Sequence, residues 1–245
     1  MAGTRQARAA AATPGDPAPA ARRRARNSLN QDVIVTAAFA VTDRDGIAAL
    51  TFDALGRELG AHPTAIYRHF RDKDELLLAM TDALHAHAQL DGLPVTDDWA
   101  DDLRAIARAI HRAFLAHPQT GQLVAARTAR RHHEFAAVEH ISGCMRRAGL
   151  PPREAARCYR VFADMVLAYS SMDAALAALA PAVRDGDLRA WDVEYRLLPA
   201  EDYPNVAALV DHIPALDDDA NFELAVELMI ESIRARSAAS GRSLG

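Results

Sequence analysis

Two neighbouring stretches decide the fold: Thr51-Phe52-Asp53-Ala54-Leu55-Gly56-Arg57-Glu58-Leu59-Gly60, and then Tyr67-Arg68-His69-Phe70-Arg71-Asp72-Lys73-Asp74-Glu75-Leu76-Leu77. A helix-turn-helix needs a small residue where its helices cross, a glycine four places on for the turn, and an apolar residue six beyond that to lock the second helix. Gly56, Gly60 and Ile66 meet all three requirements. Leu55 and Leu59 supply the buried face. The spacing alone is a moderate signal, because other helical hairpins satisfy it.

Working outward, four short helices are predicted. The first opens at Asn30, a good N-cap, and carries Ile34, Ala37, Ala38 and Val41 on one side before Gly46 stops it. The second is capped by Thr51, buries Phe52, Leu55 and Leu59, and leaves through Gly60. The third begins at Pro63, a residue suited to the first helical position, and buries Ile66 and Phe70. Asp72-Lys73-Asp74-Glu75 reads as a capping box for the fourth, which continues through Leu76, Leu77, Met80 and Leu84. The break at Asp91-Gly92-Leu93-Pro94 is the expected domain joint.

Beyond the joint the helices lengthen. Trp99, Leu103, Ile106, Ile110 and Phe114 form one helical stripe closed by His117-Pro118. Residues 120–147 are less periodic, and 153–179 and 221–234 are apolar around most of their circumference. Helices apolar on two faces need two partners. Between them, 184–218 is rich in Asp, Pro and Gly and reads as a long connection with a short helix near 205–212. The expected class is all-α, with a basic disordered arm at 1–28, a helix-turn-helix head at 29–90, a larger helical body at 95–237 and a flexible tail at 238–245.

Composition narrows the setting. Cys144 and Cys158 are too few for a disulfide framework, which suits a reducing cytoplasm. No uninterrupted apolar run approaches the ~20 residues of a membrane span, so no membrane partner is expected. Residues 1–73 hold eleven Lys or Arg against seven Asp or Glu, whereas the rest of the chain is acidic. A basic head on an acidic body suggests that only the head meets a polyanion. The Arg22, Arg23, Arg24, Arg26 run abuts the head and is either a solvated tail or an arm that follows a DNA minor groove through Arg24 and Arg26.

The Tyr67-Arg68-His69-Phe70 pattern, with Asp72-Lys73 and Leu76-Leu77 after it, resembles the TetR family of repressors over residues 29–85. A weaker likeness to the tetracycline-repressor-like C-terminal domain lies in Leu198-Pro199 through Tyr203-Pro204 and in Asn221-Phe222-Glu223 leading to Leu228. The resemblance implies a transcriptional repressor, a homodimer on a palindromic operator in double-stranded DNA, and release by a small-molecule effector. It implies no cofactor and no enzymatic activity. Pro63, Thr64 and Arg68 sit at or near the end of the third helix that would enter the major groove, with Arg68 suited to a guanine. Tyr67, His69 and Lys73 would reach phosphates by the same resemblance, and Thr51 offers its hydroxyl or the amides after it. His62 departs from the Ser or Thr expected before this helix, so either the helix is weakly anchored or His62 itself touches DNA.

In the body, the 153–179 and 219–236 helices would pair with their copies in a second subunit. A ligand is expected between the 99–116 and 153–179 helices, against His111, Phe114, Met165, Tyr169 and Met172, although plain packing is the simpler reading of each. His132, His133 and Glu134, with His117 and His140, lack the close spacing of a ligand set, and no metal site is expected. Two rival functions remain: a metal-dependent enzyme on a helical body, and a DNA-binding protein that ignores small molecules.

Overall fold

The computed structural model describes residues 29–124, 126–213 and 218–242, and every regular element among them is helical. Arg24 and Arg26 lie outside the described residues, as does the whole 1–28 arm. The head contains α1 (Gln31–Asp45), α2 (Phe52–Glu58), α3 (Pro63–Ile66) and α4 (Lys73–His87). The body contains α5 (Trp99–Ala116), α6 (Pro118–Val124), α7 (His132–Arg147), α8 (Pro152–Ala178), α9 (Pro181–Arg189), α10 (Pro204–Leu209) and α11 (Asp218–Arg242).

Local chemistry sets the boundaries of the head helices. Asn30 accepts from the Val33 amide at 2.8 Å, and Thr51 Oγ1 accepts from the Ala54 amide at 3.1 Å. At α4 the capping box is only half closed. Asp72 accepts from the Glu75 amide at 2.9 Å, but Glu75 reaches one residue further back and accepts from the Arg71 amide at 2.7 Å. Gly56 makes the tight crossing. A Cβ there would stand 2.8 Å from the Ala61 carbonyl oxygen and 3.3 Å from Pro63 Cδ. Gly60 turns the chain at φ +58 with open space around it.

In the body, α8 packs against α5, α6 and α7, and α11 lies across α5 and α8. Phe162 and Phe222 are fully buried, each contributing roughly 1.5–3 kcal/mol of burial. Two forked pairs fasten α5 to α11: Arg104 on Glu227 at 2.5 and 2.7 Å, and Arg108 on Glu223 at 2.6 and 2.7 Å. Hydrogen bonds from these guanidiniums hold both carboxyls below their ordinary range. Asp102 is almost fully buried and takes Arg147 at 2.5 Å, with the Thr96 amide and hydroxyl on the same carboxylate. Burial opposes its ionisation, and the Arg147 and Thr96 bonds outweigh that and keep its pKa low.

The structure departs from the sequence expectations in three places. Helix α8 is long and apolar enough to cross a membrane by length and composition alone. A search for uninterrupted apolar runs misses it because Asp164 and Asp173 punctuate the helix. Residues 181–197 are not a loose connection: α9 runs on through a π turn at Ala190–Glu194 and a 3-10 turn at Tyr195–Leu197. Helix α11 extends to Arg242, past the end expected near 237, where Ala238 and Ala239 favour helix and the Ser240 hydroxyl bonds back to the Arg236 carbonyl at 3.0 Å.

Gly56→Ala is expected to destabilise the protein by about 1–3 kcal/mol in urea unfolding, because a backbone carbonyl cannot step aside for the new methyl. Gly60→Asn should stay within about 1 kcal/mol of the parent, since Asn tolerates the left-handed region and meets no neighbour.

Candidate nucleic-acid interface and ligand cavity

The exposed side of α2 and α3 is where the head can meet a partner. His62 does cap α3, against the expectation that histidine anchors this helix weakly. Its Nδ1 accepts from the Thr64 amide at 3.2 Å and lies 2.8 Å from Thr64 Oγ1. An accepting Nδ1 leaves the proton on Nε2, a tautomer inferred from these bonds. Nε2–H therefore remains available to an outside acceptor.

Arg68 is exposed, and among the described residues nothing pairs with it. Its cationic neighbours differ: Arg44 is tied to Asp45 and Glu58, and Arg71 to Asp72. Tyr67 is 58% exposed, with its ring in edge contact with Phe52 at 4.6 Å. His69 is half-buried, and its carbonyl accepts from Gln31 Nε2 at 2.9 Å, so α1 anchors the chain just past the end of α3. Lys73 opens α4 and, among the described residues, makes a long 3.5 Å contact with the Ile47 carbonyl. Pro63 is half-buried, and Thr64 and Thr51 are exposed. Arg57 escaped the sequence reading, yet it is exposed and unpaired among the described residues. Its place one residue after the crossing glycine was the available signal.

In the body, the space between α5 and α8 is filled. His111 is buried, with Nε2 2.8 Å from Asp173 Oδ2 and its ring stacked on Phe222 at 4.1 Å. Phe114 is buried beside Gly121, where an added Cβ would come within 3.1 Å of its ring. Met165 and Tyr169 pack against the core, and Tyr169 meets Phe222 edge-on at 6.1 Å. A cavity of about 890 Å³ opens on another side of α8, against α7 and the 122–128 segment. Phe135, Val138, Tyr159, Leu167 and Met172 give it apolar bulk, and Ser171, Arg127 and the Arg160–Asp164 pair give it polar handles. Of the five residues expected at a ligand, Met172 alone lines this cavity. Burial, and then the nearby Glu134, push the Tyr159 hydroxyl upward in pKa, so it stays protonated and able to donate.

Residues 34–80 match the family model for bacterial regulatory proteins of the tetR family, and residues 92–237 match that for the tetracyclin repressor-like C-terminal domain. The chain belongs to the TetR family. Membership of a family of regulators places it outside the enzymes.

An HTH-type transcriptional repressor of Mycobacterium tuberculosis is 37% identical over 108 residues, which is 44% of this chain and 41% of that protein. The chain thus matches about two-fifths of that relative's length. The class A tetracycline repressor from an Escherichia coli transposon is 26% identical over 209 residues, covering 85% of this chain and 92% of the repressor. Streptomyces coelicolor ActR in complex with actinorhodin superposes with a TM-score of 0.75 at 26% identity, over 85% of this chain and 98% of ActR.

For this TetR-family chain the cap at α3 makes a direct test. His62→Ala removes the acceptor and is expected to cost about 0.5–2 kcal/mol in thermal unfolding, while His62→Ser keeps an acceptor and should stay near the parent.

Proposed function

We propose that this chain is a cytoplasmic homodimeric repressor that binds a palindromic operator in double-stranded DNA and is released by a small molecule. The head would span 29–90 and the body 95–237. The observation that carries this reading is Arg68, a free exposed guanidinium in the turn that directly follows the short helix Pro63–Ile66. A helix of one turn can enter a major groove end-on, and an unpaired arginine there is free to read a guanine edge. Thr51, Tyr67, His69 and Lys73 offer donors suited to phosphates, which would position the head without reading sequence, while His62, Pro63 and Thr64 stand at the start of α3.

Two features of the body support the remainder. Leu224 and Leu228 on α11 are each 57% exposed, and Val161, Met172 and Leu176 are exposed on α8. Such apolar faces on adjacent helices suit a two-fold interface with a second copy. The cavity beside α8 combines aromatic and aliphatic walls with the Tyr159 hydroxyl as donor, which suits an uncharged or amphipathic ligand carrying a ring and a carbonyl. ActR, the similar Streptomyces regulator, is known in complex with actinorhodin. Ligand and operator would compete through a shift between two spacings of the heads.

Operator binding tests the central claim. Arg68→Ala is expected to cost about 1–3 kcal/mol and to relax preference at one base position in a panel of operator variants. Lys73→Ala should weaken binding to every sequence alike and lower the salt slope by about one unit. The opposite pattern would show that α3 is not the reading helix.

Leu228→Asp tests the interface. It should convert a dimer to monomer in sedimentation velocity and weaken operator binding in parallel, because a buried unpaired carboxylate opposes association. Met229, its neighbour, packs into the protein's own core and would report on folding instead.

A further inference from the structure

His132 and His133 offered no metal-ligand spacing with any neighbour in sequence, and the fold supplies the missing partner from elsewhere. Asp91, in the 3-10 turn Leu90–Gly92 that leads out of the head, lies against the start of α7. One ligand atom from each of Asp91, His132 and His133 falls within 4.8 Å of the others. The ligands of a tetrahedral zinc ion stand about 3.3 Å apart, so these side chains need close by at most about 1.5 Å to share one.

A fourth residue orients the group. Asp82, on α4, is almost fully buried and accepts from His133 Nδ1 at 3.0 Å, while its second oxygen accepts from the Glu134 amide at 3.0 Å. With Nδ1–H donated to Asp82, the lone pair of His133 lies on Nε2. A carboxylate on one imidazole nitrogen and a metal on the other is the arrangement that fixes tautomer and ring orientation in metal-binding histidines. Asp82 and Asp91 together also supply two negative charges to a dication. Imidazole and carboxylate donors suit zinc and its neighbours in the first transition series better than calcium or magnesium.

We propose that Asp91, His132 and His133, with Asp82 behind His133, form a binding site for a divalent transition-metal ion at the joint between head and body. The ion would tie the turn leaving α4 to the first turn of α7, and three protein ligands leave one position for water. This site is separate from the cavity beside α8 and from the DNA-facing surface.

The test uses the untagged full chain, stripped with EDTA and returned to metal-free buffer. Zn²⁺ is titrated calorimetrically, with Co²⁺ absorption reporting ligation. One ion per chain is expected. Asp91→Asn and His132→Ala should each weaken binding at least tenfold, and His212→Gln, outside the cluster, should leave it unchanged. Asp82→Asn, which touches no metal, should weaken it about 10–100-fold while the Co²⁺ spectrum keeps its ligand type. Metal-free melting temperatures separate lost ligation from lost folding, and Asp91 and His132 are exposed enough for their variants to fold. Absence of saturable one-to-one binding, or parental affinity in both Asp91→Asn and His132→Ala, overturns the site. The titration contains no DNA, so its outcome is independent of the repressor reading.

Discussion

A carboxylate from the last helix of the head is buried against the first turn of α7, and both of its oxygens are used. Asp82 holds the His133 ring on one side and the Glu134 amide on the other. Removing water from a carboxylate is costly, so the pair of donors must stay in place for the charge to remain buried. The start of α7 therefore cannot shift without either carrying α4 along or breaking these bonds. Helix α4 follows α3 after six residues, with Asp72 capping its start and the Gln31 contact to the His69 carbonyl just before it. The placement of the surface around α3 is thus coupled to the contacts at Asp82.

That constraint connects the cavity to the head. Glu134 and Phe135 line the space beside α8, and Glu134 is the residue whose amide Asp82 holds. Glu134 also accepts from the Arg130 amide at 2.5 Å, where the chain takes a positive φ of 56 before entering α7. A molecule that fills the cavity and displaces the first turn of α7 would act on α4 through the two hydrogen bonds at Asp82. On the other side of the joint, a second cavity of about 490 Å³ lies between α1, α4 and the body, lined by Phe39, His87 and His117 among others. Burial, and then the nearby His117, hold His87 below the usual imidazole range. A base depressed in this way adds stability that is present above its unfolded value and is lost as the pH falls.

The head was legible because its determinants are local. Gly56, Gly60 and Ile66 act within eleven residues of one another, and each cap is made by a side chain two or three residues from the amide it serves. His62 was harder to read. Whether an imidazole caps depends on its rotamer and tautomer, which residue type does not specify. In the body the decisive partners are far apart in sequence: Asp102 with Arg147, His111 with Asp173, Asp91 with His132 and His133. Periodicity says that a helix has two apolar faces but not which neighbour covers each. The stripe of Phe114 and His111 therefore read as a pocket wall although it closes onto α8 and α11. The face that stays open, with Phe135 and Tyr159, draws much of its lining from the weakly periodic 120–147 segment.

The strength of the joint is itself informative. Among the described residues, three side-chain pairs cross it: His117 with Asp43 at 2.8 Å, Arg127 with Asp74 at 2.8 Å, and His133 with Asp82 at 3.0 Å. The first two are partly exposed, with Arg127 and Asp74 the more open at 37% and 59%. Pairs of that kind contribute on the order of 0–1 kcal/mol each. Apolar packing along α1 and α4 holds the head firmly enough to fold, yet the polar contacts that fix its angle are individually cheap to exchange. Coupling between an effector and a distant surface is typically about 1–3 kcal/mol. Head and body also share one continuous apolar core, so these polar pairs are exchangeable contacts laid over a packed boundary, and exchanging them involves energies of that size. On the proposed function, exchange of these pairs is the route by which binding in the body would be felt at Arg68.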